Sequence, residues 1–322
     1  MIQNTTQAKA GGIPRLAMIN SFAGFGRCST TIAFPVLSIM QVQVCPVPTS
    51  VLSNHLGFPT CYFDDYTSRM REYLHGWEQL NINFDGLYCG FLGSMEQIAI
   101  VKEFLNSPMM QPVNDHPLFL LDPVMGDHGK AYSTITAEHC EKMKELAAYA
   151  DILTPNITEA CLLTDTPYKD GRFTDYELKE ICCKLAALPR PDEAESISAG
   201  CFRQAKLISA GCSGQTLTPP THPAASKRIV ITGIQERHRI LNYIWEDGRR
   251  TTCYTDITGK SHHGTGDLFA SILTADALHQ VPFADSVKKA ADFAALCISG
   301  TEEAGLAEPD GVLFEKYLKH LI

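Results

Sequence analysis

The chain has 322 residues, 45% of them hydrophobic and 20% charged, with a formal net charge of −9. That suffices for one large α/β domain, and an acidic chain without a Lys/Arg run is not expected to bind nucleic acid. No apolar stretch is long enough to span a bilayer, the polar start Met1–Gln7 does not read as a signal peptide, and the 12 cysteines include no C-x-x-C pair, so free thiols in a cytoplasmic, reducing setting are expected.

Residues 1–14 read as a disordered tail and 15–322 as a single domain. Leu16–Asn20 is a buried first strand, followed by the glycine-containing loop Ser21–Ser29 and an apolar helix from Thr30 to Met40. A dinucleotide-binding turn fails here because Ser29 occupies the third glycine position, which leaves a substrate loop at a strand's carboxyl end. Val42–Val47 is the next strand, with polar Thr49, Ser53, Asn54 and His55 after it. A helix over 65–79 carries the aromatic stripe Tyr66, Tyr73 and Trp77, read as core or a subunit contact. Asp85–Cys89 is a strand, Met95–Asn106 a helix and Pro117–Leu121 a fully apolar strand. Asp122-Pro123-Val124-Met125-Gly126-Asp127 follows it, and its two acids are either turn formers or metal-site ligands. A helix over 136–149, a short strand Asp151–Thr154 and a helix opened by Pro155 come next. Glu159 in that helix's first turn suits the helix dipole.

The Pro-, Ser- and Gly-rich stretch 189–227 reads as a mobile insertion, with a short strand expected at Lys206–Ser209. Arg228–Gly233 is a strand. Arg239–Trp245 and Arg250–Tyr254 form a hairpin expected to extend one sheet edge in antiparallel fashion. Helices Asp267–His279 and Phe283–Ser299 and a closing helix near Phe314–Leu321 complete the chain. Strands alternating with helices define an α/β fold with a doubly wound, mostly parallel sheet flanked by helices.

The chemistry concentrates in Gly264-Thr265-Gly266-Asp267, at the mouth of a helix. The glycines allow successive amides to converge on an anion, and the helix N-terminus favours a phosphate. A carboxylate beside a phosphate site either complements the helix dipole or removes a proton from a nucleophile. Gly259-Lys260-Ser261 is not a P-loop, because the required glycine at 254 is Tyr254.

Taken together, Gly264–Asp267, Asp122–Asp127 and Thr154-Pro155-Asn156-Ile157-Thr158-Glu159 occur in the order found in the ribokinase-like superfamily. Ser21…Gly24-Phe25-Gly26, Pro48–His55 and Gly90-Phe91-Leu92-Gly93-Ser94 make the chain resemble the pyridoxal kinases in particular. The resemblance spans roughly residues 15–188 and 227–300. It implies ATP-dependent phosphorylation of the 5′-hydroxymethyl group of a B6 vitamer, with Mg²⁺, and with a monovalent cation such as K⁺ also expected. Carried over, Asp267 is the base and the amides of Gly264, Thr265 and Gly266 the anion hole. Asp122, Asp127 and Glu159 hold Mg²⁺ directly or through water. Asn156, Thr232, Gly233 and Tyr132 line the nucleotide, and Ser21, Thr49, His55 and Phe91 face the pyridine ring. The resemblance also implies a homodimer. Phe91 stands where some relatives carry Tyr, and the 189–227 stretch has no recognised counterpart.

Overall fold

The computed structural model describes residues 12–111, 116–170, 172–190 and 227–322. The expected tail lies outside them up to residue 11, as does the insertion between 191 and 226 with its strand at 206–209.

Nine strands form the central sheet: β1 (Arg15–Ala23), β2 (Gln43–Leu52), β3 (Phe63–Asp65), β4 (Gly86–Cys89), β5 (Leu118–Leu121), β8 (Ile152–Leu153), β9 (Arg228–Glu236), β10 (Arg239–Glu246) and β11 (Arg249–Asp256). Their order is β11-β10-β9-β8-β5-β4-β1-β2-β3. The run from β9 to β2 is parallel throughout, while β10 and β11 at one edge and β3 at the other pair antiparallel. The expected hairpin is therefore present, and the opposite edge carries an antiparallel strand that was not expected. β2 also runs five residues beyond Val47, so Pro48–Leu52 is strand where a loop was expected.

Both faces of this sheet are covered, which is why its strands read as continuous apolar runs rather than alternating ones. Ala17, Ile19, Leu87, Cys89, Phe119, Leu121, Leu153, Ile229 and Ile231 point into one core. Their neighbours Leu16, Met18, Tyr88, Leu120, Ile152 and Val230 point into the other. The first core packs under α2 (Thr67–Gln79), α3 (Met95–Leu105), α4 (Ala137–Ala147), α5 (Ile157–Thr164) and α6 (Asp175–Ala186). The second packs under α1 (Thr30–Ile39), α7 (Thr265–Leu278) and α8 (Phe283–Glu303). The closing segment Glu315–Leu321 is a 3-10 helix.

Helix starts follow local chemistry. Ser94 and Thr136 cap α3 and α4, while Asn156/Glu159 and Thr174/Glu177 form reciprocal capping boxes on α5 and α6. The chain leaves β1 in one direction to β2 and returns on its other side to β4. That reversal opens a crevice beyond the carboxyl ends of β1 and β4, where doubly wound sheets place their ligands.

Candidate active site

Three adjacent strands deliver polar groups to this crevice: Asn20 and Ser21 from β1, Gly90 and Phe91 after β4, and Asp122 after β5. Asn20 Oδ1 accepts the N–H groups of Ser21 and Phe91 at 2.9 and 3.1 Å, and its Nδ2 donates to Asp267 Oδ1 at 3.4 Å. A Cβ on Gly90 would lie 2.5 Å from Asn20 Nδ2, so glycine there is a packing requirement of the asparagine.

Over these strand ends sits the mouth of α7. Gly264, its N-cap, has φ +85°. A Cβ on Gly264 would meet Ile32 Cδ1 at 2.2 Å and the Arg27 carbonyl oxygen at 2.4 Å, so no other residue fits. Gly266 differs: its Cβ would be 4.0 Å from the nearest atom, Asp122 Oδ2, and would point into the space between the two motifs. The first N–H groups of a helix have no intrahelical acceptor, so those of Gly264, Thr265 and Gly266 form an anion-accepting end.

Asp267 is half-buried on the first turn. Its Oδ2 accepts the Ser29 N–H at 2.7 Å. Burial pushes its carboxyl up to about 6, against the lowering pull of the Ser29 N–H and the Asn20 amide. Burial, and then the Asp267 charge, push Asp122 up to about 7, while the Thr154 hydroxyl, donating to Asp122 Oδ1 at 2.9 Å, opposes the shift. Glu159 is raised well above the ordinary range by burial and then by Asp122. A carboxylate near pH 6 within hydrogen-bonded support is suited to taking a proton near neutrality.

The remaining expected residues fall into three groups. Glu159 accepts from Met125 N at 3.1 Å through one oxygen and from Asn156 N at 2.8 Å through the other, so it caps α5. Asp127 is exposed on the small hairpin of β6 (Gly126–Asp127) and β7 (Lys130–Ala131), and accepts the His128 N–H at 2.7 Å as a turn residue. Among the described residues no group of three or more His, Cys, Asp or Glu is placed to hold a metal. Of the three acids expected to hold Mg²⁺ directly or through water, Glu159 is engaged in helix capping and Asp127 in turn formation. Asp122 remains, with Oδ2 toward Gly266.

On the nucleotide side, Asn156 bridges to Thr232, whose N–H bonds Pro155 O at 2.9 Å. Asn156 itself uses Oδ1 on Glu159 N and Nδ2 on Gly126 O, so its side chain holds the fold. Gly233, at φ +71°, has open space where a Cβ would be, and Tyr132 is 44% exposed beside the acids. Burial and then Glu159, Asp127, Asp122 and Asp267 raise the Tyr132 phenol.

Of the ring-facing set, Ser21 bonds the Ser29 hydroxyl at 2.9 Å. Thr49 is fully buried with its hydroxyl unpartnered among the described residues. His55 lies 2.7 Å through Nε2 from Pro309 O, accepts Gly57 N at Nδ1, and packs against His263 and Phe58 at 4.2 and 4.7 Å. Those partners hold its ring as the Nε2–H tautomer, engaged with protein rather than open to a ligand. Phe91 is half-buried beside Gly93. Asn20, Ser29 and Thr154 were not singled out from the sequence. Asn20 at least carried a signal, as a carboxamide ending a buried strand.

A mostly parallel sheet with a glycine-bounded helix mouth and a half-buried carboxylate at its switch point defines a ribokinase-like fold. The profile of the phosphomethylpyrimidine kinase family matches residues 79–190. A presumed phosphomethylpyrimidine kinase from Bacteroides thetaiotaomicron superposes with a TM-score of 0.82 at 30% identity, covering 97% of this chain and 95% of that one. Its orthorhombic form, crystallised with pyridoxal, gives a TM-score of 0.77 at 31% identity, covering 96% of each chain. The pyridoxal kinase of Arabidopsis thaliana is 31% identical over 144 residues, 43% of this chain and 45% of that protein. The chain spans about half the length of the first curated relatives it matches. The chain belongs to the family of that Bacteroides protein, the phosphomethylpyrimidine kinases, and is similar over part of its length to pyridoxal kinases.

Proposed function

We propose that the protein transfers the γ-phosphoryl group of ATP to the 5′-hydroxymethyl group of a B6 vitamer. The observation that carries this reading is Asp267: a half-buried carboxylate raised toward neutrality, held by Ser29 N–H and Asn20, one residue from amides suited to an anion. Asp267 takes the hydroxyl proton, and the amides of Gly264, Thr265 and Gly266 stabilise charge on the transferring group. Phosphoryl transfer asks chiefly for such positioning and charge stabilisation. Ser21, Thr49, His55 and Phe91 form or support the ring pocket, and Asn156, Thr232, Gly233 and Tyr132 the nucleotide side. The pyridoxal in the Bacteroides crystal supports the acceptor class.

Acids set close enough that Asp267 raises the Asp122 carboxyl and Asp122 raises that of Glu159 are suited to a hard cation. Mg²⁺ would be held by Asp122 with the nucleotide's phosphates, and by Asp127 and Glu159 through water. When bound, it supplies charge neutralisation to the phosphates. A monovalent cation such as K⁺ is proposed as well. The single kinase domain over 15–322 stands as a proposal. So do the cytoplasmic location, supported by described cysteines that are all free, and a homodimer. Among the described residues no helix is long and apolar enough to cross a membrane.

The test is purified protein with MgATP and pyridoxal, pyridoxine or pyridoxamine in turn, following the phosphorylated product. Turnover with none of them sinks the reading. The family profile favours hydroxymethylpyrimidine as a second acceptor, and turnover with it alone would move the protein to that reading.

A further inference from the structure

The loop Gly24–Ser29 owes its position to the far end of the chain. Arg27 donates its backbone N–H to Asp310 O at 3.2 Å and its Nη1 to the same oxygen at 3.1 Å, while Nε donates to Glu315 Oε1 at 2.7 Å. Gly311, at φ +76°, lies so close that a Cβ there would be 2.6 Å from Arg27 O. The same C-terminal segment takes His55 through Pro309 O and reaches His263 O through the Val312 N–H at 3.0 Å. Two residues beyond Arg27, Ser29 sits at φ 51°, ψ −129°, a backbone conformation rarely occupied by a residue with a Cβ. In that conformation its N–H bonds Asp267 Oδ2. Unfavourable backbone geometry persists where the surroundings over-determine it, and here two restraints do so: the Arg27 grip and the Ser21–Ser29 hydroxyl bond.

We infer that Arg27 is a positioning residue for phosphoryl transfer: it ties the C-terminal segment to the Ser29 amide, and that amide aims the Asp267 carboxylate. This rests on the kinase reading above. The Arg27–Glu315 pair is partly exposed, with side chains 27% and 50% accessible. It therefore adds little to global stability, and its effect falls on geometry.

Arg27→Ala lowers kcat about 10- to 100-fold, the scale of a misplacement near 1 Å, with KM for ATP within about twofold. Arg27→Lys, which keeps a cationic donor, recovers most of the rate. In an Asp267→Asn background Arg27→Ala changes the single-turnover rate by less than about twofold, because the group it positions is gone. A multiplicative loss in that background, or wild-type kcat for Arg27→Ala, overturns the inference. If Arg27→Ala folds poorly, Glu315→Gln removes only the exposed partner and is put through the same cycle. Amide hydrogen exchange gives a readout independent of turnover: Arg27→Ala speeds exchange in peptides covering 27–33 and 309–315, and unchanged exchange there overturns the grip. A wild-type protein without any turnover would defeat the kinase reading, while exchange would still decide the grip.

Discussion

The two glycines at the mouth of α7 are two residues apart and have opposite structural reasons, so substituting each by alanine separates folding from chemistry. At Gly264, alanine must adopt φ +85°, which costs roughly 1–2 kcal/mol for a residue with a Cβ. Its methyl would also meet Ile32 Cδ1 at 2.2 Å and Arg27 O at 2.4 Å. The second atom is backbone, so relief requires movement of the Arg27 loop, an overpacking cost of about 1–3 kcal/mol. Gly264→Ala is thus expected to lose about 2–5 kcal/mol of stability and to lose activity with it. At Gly266 the backbone is helical and the nearest atom to a new Cβ is 4.0 Å away, so alanine fits and favours the helix by roughly 0.5–1 kcal/mol. The methyl nevertheless enters the space facing Asp122, where the phosphoryl group would dock. Blocking one such donor position costs about 10²–10³ in kcat. Thermal unfolding and steady-state kinetics on both variants provide the test. A Gly266→Ala protein that unfolds normally and turns over at the wild-type rate refutes the placement of the phosphoryl group at this helix mouth.

The two raised carboxyls couple stability and activity to pH in opposite directions. Asp267 rises from 3.8 to about 6 and Asp122 to about 7, so the unfolded chain ionises first. The stability that each contributes is full below about pH 4 and is lost as pH climbs through 6 to 7, on the order of 3 kcal/mol for Asp267 alone. Urea unfolding across this range should show a steeper fall for wild type than for Asp267→Asn; parallel curves would contradict the burial argument. The rate, by contrast, rises over the same window as the base ionises, with apparent values belonging to the pair. Millimolar Mg²⁺ should raise the unfolding temperature at pH 7.5 far more than at pH 5, and Asp122→Asn should abolish the difference; an unchanged shift would remove Asp122 from the metal site. Asn20→Asp sets a second carboxylate against Asp267 in place of a donor 3.4 Å away. A loss of about 10² in kcat/KM is expected by like-charge repulsion, and wild-type kinetics would show that Asn20 supports nothing.

Much of this fold was legible because burial on both faces writes itself into composition. β5 is Leu118-Phe119-Leu120-Leu121 with no polar position, and the same holds for most of β1. Where a strand's neighbours are less uniform, the reading stopped short. β2 continues through Pro48–Leu52 because its parallel partner, β1, stays paired with it as far as Ala23, across a register shift between Asn20 and Phe22. Helix α6 went unread although its signals were present: Thr174 and Glu177 three apart form the capping box, and Leu178, Ile181, Cys182 and Leu185 recur at helical spacing. It lay against the Pro-rich 189–227 stretch, whose composition masked it. At the site, Asp267 and the two glycines could be found from spacing alone. Ser29 could not, since its contribution is a main-chain N–H, and the reciprocal capping by Glu159 lay in its position three residues after Asn156, while its metal role came only from the family resemblance.

The acids themselves show why such a site stands out against the rest of the chain. Elsewhere the described carboxylates lie largely at the surface beside lysines and arginines, as with Glu96 and Glu103 on Arg71. At the crevice, Asp122 and Glu159 are buried and Asp267 half-buried, and the groups answering them are N–H donors and one hydroxyl rather than cations. Dipolar partners soften the cost of burial without cancelling it, which is the physical content of three pKa values all displaced upward. A fold that only had to be stable would replace these acids with amides or aliphatics of similar volume. Their presence beside a glycine-bounded helix mouth suits the proposed visitor, which brings both signs of charge: a cation to meet the acids and phosphates to meet the amides. A metal–nucleotide complex has that composition, and neither half of the crevice alone would select it.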